Sequence, residues 1–441
     1  MTVSDENLII WHIYPLGALG CCPTDSDPHA GGTLSDLIPW LEYAKDLGCN
    51  AIALGPIFAS SSHGYDTLDY YRIDPRLGSR DDFDAFLEAA KALELKVILD
   101  GVFNHVGRHH PAVEEARRQG PETSSPWKLR ADYRPLENGE EPAWHYFEGH
   151  EGLITVDHDQ AQTRQAISEV MNYWLEAGVD GWRLDAAYAV DPDLWAQILA
   201  PVRQRFPQAW IVAEVIHGDY LDLAQRAGWD SITQYELWKA TWSSLNDGNF
   251  FELDWTLRRH QELCQQLVPM TFISNHDVTR IASQLTNPEH VGLAVALLAT
   301  LPGQVSVYYG EEVGFTGVKE ERLGGDDAIR QALPADPSQM RDNDRAQRFW
   351  HWYASLLHVR RTHPWLQRAQ IEVEHLEHQV LRYRCSGPDD SLVVVLNATD
   401  QALPRSGDPL SDITEVIAGQ WDEGEGGAGL RANAYLVGRT R

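Results

Sequence analysis

Cysteine is scarce in this chain, with Cys21, Cys22, Cys49, Cys264 and Cys385 the only five among 441 residues. Their number is odd, their spacing fits no metal motif, and the adjacent Cys21 and Cys22 cannot readily bridge each other. A disulfide framework is therefore not expected. Reduced thiols fit a cytoplasmic protein. Long apolar runs are also missing. No stretch reaches the ~18 residues of a membrane span, and the N-terminus "MTVSDENLIIWHIYP" has no basic region ahead of an apolar one, as a secretory signal would. Positive charge is short as well, with lysine confined to Lys45, Lys91, Lys96, Lys128, Lys239 and Lys319 and the net charge at −29. Phosphate backbones and anionic membranes need a basic surface, so neither nucleic acid nor membrane is an expected partner. No internal repeat and no glycine-rich phosphate loop is present. What remains, 43% hydrophobic and 23% charged residues without low-complexity tracts, suits a folded globular chain too long for one ordinary core.

Short apolar runs alternate with longer amphipathic ones. The runs at 7–15, 50–56, 95–102, 179–187, 209–215, 230–236, 270–277 and 304–312 read as eight strands. Between them lie helical patterns such as 34–48 and 80–94, with Asp36 and Asp82 in first turns, where a negative charge suits the helix dipole. Strand then helix, repeated eight times, predicts a (β/α)8 TIM barrel. The spacing breaks after the third strand, where residues 106–156 form an irregular insertion containing the aromatic cluster "WHYFEGH". From residue 366 the pattern turns to alternation in "QVLRYRC", "SLVVVLNAT" and "ANAYLVGR", which predicts an antiparallel β-sandwich. The expected domains are thus a barrel over 1–105 and 157–365, an insertion domain over 106–156 and a C-terminal β-domain over 366–441.

Barrel enzymes carry their chemistry at the C-terminal ends of the strands. Here the third strand ends with Asp100, Asn104 and His105, the fourth with Arg183 and Asp185, the fifth with Glu214 and the seventh with His276 and Asp277. A single acid at a strand end is as readily a helix cap. Several acids, an arginine and two histidines at one rim match what glycosidic cleavage needs: a carboxylate nucleophile, a carboxylic acid for the leaving oxygen, and charge facing an oxocarbenium-like transition state. Arg183 and Asp185 are two apart, so on a strand they share a face, where the guanidinium keeps the carboxylate ionised. A metal-dependent barrel hydrolase is the competing chemistry, weakened because the first strand offers His12 in "WHIY" and no paired histidine ligands.

The segments "DGVFNH", "GWRLDAA", "AEV" and "FISNHD", in that order, together with "GYDTLDYYRIDPRLGS" and "VYYGEEVG", resemble the conserved regions of the α-amylase family of glycoside hydrolases (family 13 type). The resemblance runs from residue 8 through the chain and is nearest, in its local motifs, to the maltogenic amylase and cyclomaltodextrinase branch. That branch carries an N-terminal β-domain, whereas this sequence starts directly at the first barrel strand. The resemblance implies Asp185 as nucleophile, Glu214 as general acid/base and Asp277 as a third acid gripping sugar hydroxyls. It further implies Arg183, His105 and His276 as sugar contacts, Tyr65 as a stacking ring, and Asp100 and Asn104 as supports of the loop architecture.

"GGDDAIRQALP" occupies the place where relatives hold an acid and an arginine near the neighbouring sugar, which makes Asp327 and Arg330 candidate binders, or else a surface ion pair. Trp144, Tyr146, Tyr235 and Trp238 are the aromatic residues placed near the cleft. Ser62 stands where exo-acting α-glucosidases carry an acid, and "LITVD" lacks the usual proline. Asn104 matches a calcium-ligating position in many relatives, but no cage of six to eight oxygens is visible, so no cofactor is expected to be required. The implied activity is retaining hydrolysis of α-glucosidic bonds in maltooligosaccharides or small cyclic or branched α-glucans. The alternative is a transglycosylase or isomerase acting on the same substrates.

Overall fold

The computed structural model describes residues 6–21, 31–120, 123–133, 142–322, 324–422 and 429–440, so that Cys22 lies outside the described residues. Eight short strands follow one another along the chain: β1 (Ile9–Ile13), β2 (Ala51–Leu54), β3 (Lys96–Gly101), β4 (Gly181–Leu184), β5 (Trp210–Ala213), β6 (Ser231–Ile232), β7 (Met270–Thr271) and β8 (Gln304–Tyr308). Between and after them run α1 (Ile38–Leu47), α2 (Arg80–Ala92), α3 (Ala161–Ala177), α4 (Pro192–Arg205), α5 (Tyr220–Ala227), α6 (Tyr235–Asp247), α7 (Phe250–Cys264), α8 (His290–Thr300) and α9 (Asp344–Thr362). This is a (β/α)8 barrel with an insertion after β3 and an antiparallel β-domain at the C-terminal end. Among the described residues no helix is long and apolar enough to cross a membrane.

The chain divides into two compact units, Met1–Glu6, Ile13–Glu42 and Ala51–Ile232 in one, and Asn7–His12, Tyr43–Asn50 and Thr233–Arg441 in the other. In the first, the parallel neighbours run β6, β5, β4, β3, β2. Their side chains are almost wholly buried, as expected of parallel strands covered on both faces. Register is set by a close approach: Gly181 opens β4 opposite Trp210 of β5, and a Cβ there would come within 2.2 Å of the Trp210 carbonyl oxygen. Helix α2 starts where Ser79 and Asp82 cap each other's backbone N–H groups. Those bonds, the Ser79 hydroxyl first, hold the Asp82 carboxyl down at about 2. The insertion leaves the barrel as His105–Gly107, which pairs antiparallel with Leu153–Thr155.

In the second unit β8 lies between β1 and β7, parallel to both. After α9 come β9 (Gln370–Leu376), β10 (Val380–Ser386), β11 (Ser391–Asn397), β12 (Ile413–Gly419) and β13 (Ala434–Thr440), antiparallel in the order β9, β10, β11, β13, β12. The period-2 pattern is visible in the packing. Val393, Val395 and Leu436 share one face and bury themselves with Leu410, Ile413 and Leu430.

Candidate active site

In the first unit the register brings the charges together. Arg183 lies beside Asp100 on β3 and beside Val212 on β5. The pairing then continues past the strand ends, with Asp185 N donating to the Gly101 carbonyl (3.1 Å) and Glu214 N to the Leu184 carbonyl (2.9 Å). Asp100, Asp185 and Glu214 are therefore delivered to one guanidinium. Arg183 Nη1 donates to both oxygens of Asp100 (2.9 and 2.8 Å) and to Asp185 Oδ1 (3.0 Å), while Nη2 meets Glu214 Oε1 at 2.7 Å. All four side chains are at most 9% exposed. Burial alone would lower the Arg183 pKa, but the surrounding carboxylates, Asp100 and Glu214 foremost, hold it well above its ordinary value. Three acids thus share one cation.

The backbone next to Asp185 is strained in a way that serves the same cluster. Ala186 adopts the left-handed conformation (φ 46°, ψ 36°), costly for a residue with a Cβ. Its N–H is thereby aimed at Glu214 Oε2, 2.9 Å away. The turn it begins, Ala187–Ala189, is held by Trp195 Nε1, which donates to the Ala187 carbonyl (3.1 Å). Glu214 is thus fixed through both oxygens, by Arg183 and by the chain segment that carries Asp185.

Tyr65 packs its ring 6.0 Å from the Arg183 guanidinium carbon and donates its hydroxyl to Asp100 Oδ2 (3.1 Å). His105 is buried, with Nε2 3.1 Å from the Tyr65 carbonyl and Nδ1 3.2 Å from Asn104 Nδ2. Those partners assign the proton to Nε2, since a carbonyl accepts and an amide nitrogen donates. Burial pushes the His105 pKa down to about 3, so the ring is neutral. Phe147, from the aromatic cluster of the insertion, stacks on it at 4.7 Å and 18°.

In the second unit, His276 and Asp277 follow β7 on a loop fixed by Asn275, whose Oδ1 accepts from Asp277 N (2.8 Å) and whose Nδ2 donates to the Tyr235 hydroxyl (3.0 Å). Tyr235 in turn packs with Trp238 and Phe272, so two of the aromatic residues expected near the cleft support the Asp277 loop. Asp277 Oδ2 lies 2.9 Å from His276 Nε2, and the His276 ring meets His12 edge-on at 5.0 Å. His12, near the end of β1, enters the sequence reading only as an isolated metal-ligand candidate. Arg330 bonds Asp277 and Asp326, whereas Asp327 is exposed. Trp144 is buried against Tyr133, and Tyr146 is half-buried.

Among the described residues beside Asn104, the carboxylates stand with arginine partners. The cavity there, about 390 Å³, is also lined by Arg130, Thr155, His158, Asp159, Asp191 and Asp193. Its carboxylates have cations: Arg130 meets Asp159 (3.1 Å), and Arg226 meets Asp191 (3.3 Å) and Asp193 (2.9 Å). Among the described residues no group of three or more His, Cys, Asp or Glu side chains could hold a metal. A hard cation needs six to eight oxygens, and guanidinium groups stand among these.

The model of the alpha-amylase catalytic domain matches residues 23–379. The chain belongs to the alpha-amylase family. Relatives within it include a cyclomaltodextrinase from a Bacillus species, 26% identical over 87% of this chain and 69% of that protein. A 4-alpha-glucanotransferase from Thermotoga neapolitana is 27% identical over 86% of this chain and 94% of its own. Among solved structures, a debranching enzyme from Nostoc punctiforme superposes with a TM-score of 0.82 at 25% identity, covering 100% of this chain and 99% of that one. As a member of the alpha-amylase family the chain is a glycoside hydrolase, and its fold is the one its relatives share.

Proposed function

We propose that the chain hydrolyses α-glucosidic bonds in maltooligosaccharides or small cyclic or branched α-glucans, with retention of configuration. Support for the mechanism comes from one observation above the rest. Asp185 and Glu214 are held by the two ends of a single guanidinium, at 3.0 and 2.7 Å. One cation thus organises both acids, and the family resemblance assigns them to the retaining mechanism, in which a carboxylate attacks directly. In the first step Asp185 forms a bond to the anomeric carbon while Glu214 gives its proton to the departing glycosidic oxygen. In the second, water loses a proton to Glu214 as its oxygen replaces Asp185, restoring both groups. Asp277 is the third acid, and Tyr65, His105, Arg183 and His276 are assigned to the neighbourhood of the reacting sugar by family resemblance. The glucanotransferase relative favours a second reading, in which a sugar hydroxyl replaces water in the second step.

A product profile separates the two. Maltose, maltotriose, isomaltose, cyclodextrins, trehalose and sucrose are each incubated with the enzyme and every product is identified. Shorter glucans alone are expected, released as the α-anomer. Longer or rearranged sugars would replace the hydrolase by the transferase.

Glu214→Gln carries a second expectation. Maltooligosaccharide cleavage should fall by about 10²–10⁴-fold, the range of general acid catalysis, while α-glucosyl fluoride still gives a rapid burst of one equivalent of fluoride. Equal loss on both substrates would remove Glu214 from the role of acid. No metal is required in this proposal, because arginines serve the acids beside Asn104. EDTA is expected to leave rate and Tm unchanged; a fall in Tm of several degrees reversed by Ca2+ would overturn that. Cytoplasmic location is likewise proposed, supported by Cys21, Cys49, Cys264 and Cys385 being buried, unbridged thiols.

A further inference from the structure

The motif reading gave Arg330 to the sugar or to a surface ion pair. Its contacts point elsewhere. The Arg330 side chain is only 10% exposed. Its Nη2 bonds Asp277 Oδ1 (3.1 Å) and Asp326 Oδ2 (3.0 Å), and its Nε donates to the His276 carbonyl (3.0 Å). It therefore grips both the carboxylate of Asp277 and the backbone of the residue before it.

The segment that carries Arg330 is itself pinned on both sides. Tyr308 donates its hydroxyl to the Ile329 carbonyl (3.0 Å) and Tyr309 to the Gln331 carbonyl (2.7 Å). Both tyrosines are fully buried at the end of β8, with the buried Arg280 over their rings at 4.5 and 5.2 Å and its Nη1 donating to the Tyr309 carbonyl. Arg330 is thus flanked, one residue to either side, by hydrogen bonds from the last residue of β8 and the residue after it. Asp326, four residues earlier, takes a share of the same Nη2 that bonds Asp277. A side chain held this firmly and turned toward Asp277 is built to fix the carboxylate.

We infer that Arg330 is a positioning residue for Asp277, with Asp326 as its counter-anchor, and that it holds the third acid in the rotamer in which Oδ2 faces His276. This rests on the role proposed above for Asp277. The physical reason is economical in atoms. Asp277 is 31% exposed, and a carboxylate at a rim has several rotamers open to it. One oxygen on Arg330 and the other on His276 select one of them before substrate arrives, and preorganisation of that kind lowers the barrier without tightening ground-state binding.

The test compares Arg330→Gln, Arg330→Lys, Asp277→Asn and the Arg330→Gln/Asp277→Asn double variant. For Arg330→Gln, kcat on maltotriose is expected to fall by about 10–100-fold, as for partners that orient a functional ligand, with KM changed by less than about threefold. Arg330→Lys restores part of the loss. In the Asp277→Asn background the Gln substitution costs nothing further, because two residues acting as a unit are not additive. Arg330 as a direct sugar binder would instead raise KM at constant kcat and add its full loss to Asp277→Asn, and either result overturns the proposal. A crystal structure of Arg330→Gln gives a readout independent of activity. The Asp277 carboxylate is expected to leave its 2.9 Å contact with His276; a carboxylate that stays in place also overturns it. Full activity of Asp277→Asn would strike the role of Asp277, a different failure from that of Arg330.

Discussion

Asp185→Asn is expected to lose about 10⁴-fold or more in kcat on every α-glucoside while the protein folds with a Tm close to that of the parent. The first half follows from chemistry. An amide cannot supply the electron pair that forms the covalent intermediate, and loss of a nucleophile removes most of an enzyme's rate in a single change. At 1.36 kcal/mol per tenfold, the effect amounts to about 5–6 kcal/mol of barrier. The second half follows from geometry. Arg183 keeps both oxygens of Asp100 and one of Glu214, so the guanidinium stays satisfied when Asp185 becomes neutral. One negative charge fewer in a cluster of three also relieves repulsion. The checks are steady-state kinetics on maltotriose and thermal melting monitored by circular dichroism. Activity within tenfold of the parent would dismiss Asp185 as nucleophile, whereas a melt shifted by tens of degrees would mean that its role is structural.

The acids at the strand ends were legible in the sequence for a simple reason. Six of the eight barrel strands run for four to six mostly apolar residues, so a charged residue near the C-terminal end, as in Lys96–Gly101 or after Gly181–Leu184, breaks the pattern visibly. The eight runs were legible on the same ground, though β6 and β7 are far shorter than the runs 230–236 and 270–277 suggest. Gln234 explains one of them, since its side chain caps α6 and accepts from Leu237 N, ending the strand at Ile232. What periodicity could not show is who pairs with whom. Asp326 and Asp327 are equivalent as letters. A helical turn over Asp327–Ile329 leaves Asp327 exposed, and Asp326, four residues before Arg330, takes the ion pair. The stacking of Phe147 on His105 was equally hidden, because the insertion has no period and its pairing with the barrel's loop is long-range. Arg183 shows the same limit. Its spacing from Asp185 placed the two on one face, but that it also meets Asp100 and Glu214 depends on the register of three strands.

Arg183→Met is the other large effect, and it is felt in stability as well as in turnover. The substitution keeps much of the volume and leaves Asp100, Asp185 and Glu214 enclosed with no guanidinium among them. Removing one partner of a buried ionic cluster costs about 3–5 kcal/mol, a large share of the 5–15 kcal/mol that a folded chain commands. The pH dependence distinguishes this cause from a packing defect. In the parent, Arg183 is held charged well above its ordinary value, so its contribution is fully present below the ordinary arginine range and is constant across the working range. In the variant, enclosure and mutual repulsion raise the carboxylates, and the folded state binds more protons than the unfolded one. Stability is then greatest near or below pH 4, the ordinary carboxylate range, and falls as the pH rises toward neutrality. Denaturant melts at pH 4.5 and 7.5 read this directly: the gap between parent and variant should widen at the higher pH. A gap independent of pH would mean lost packing alone and would contradict the charge assignment. Arg183→Lys separates charge from shape. It supplies the cation but not the planar fork that bridges Asp185 to Glu214, so it should recover most of the stability and still lose about 10²-fold in kcat through misplacement of the two acids. Near-parental kcat in Arg183→Lys would show that the bridge between nucleophile and acid is not what organises the reaction.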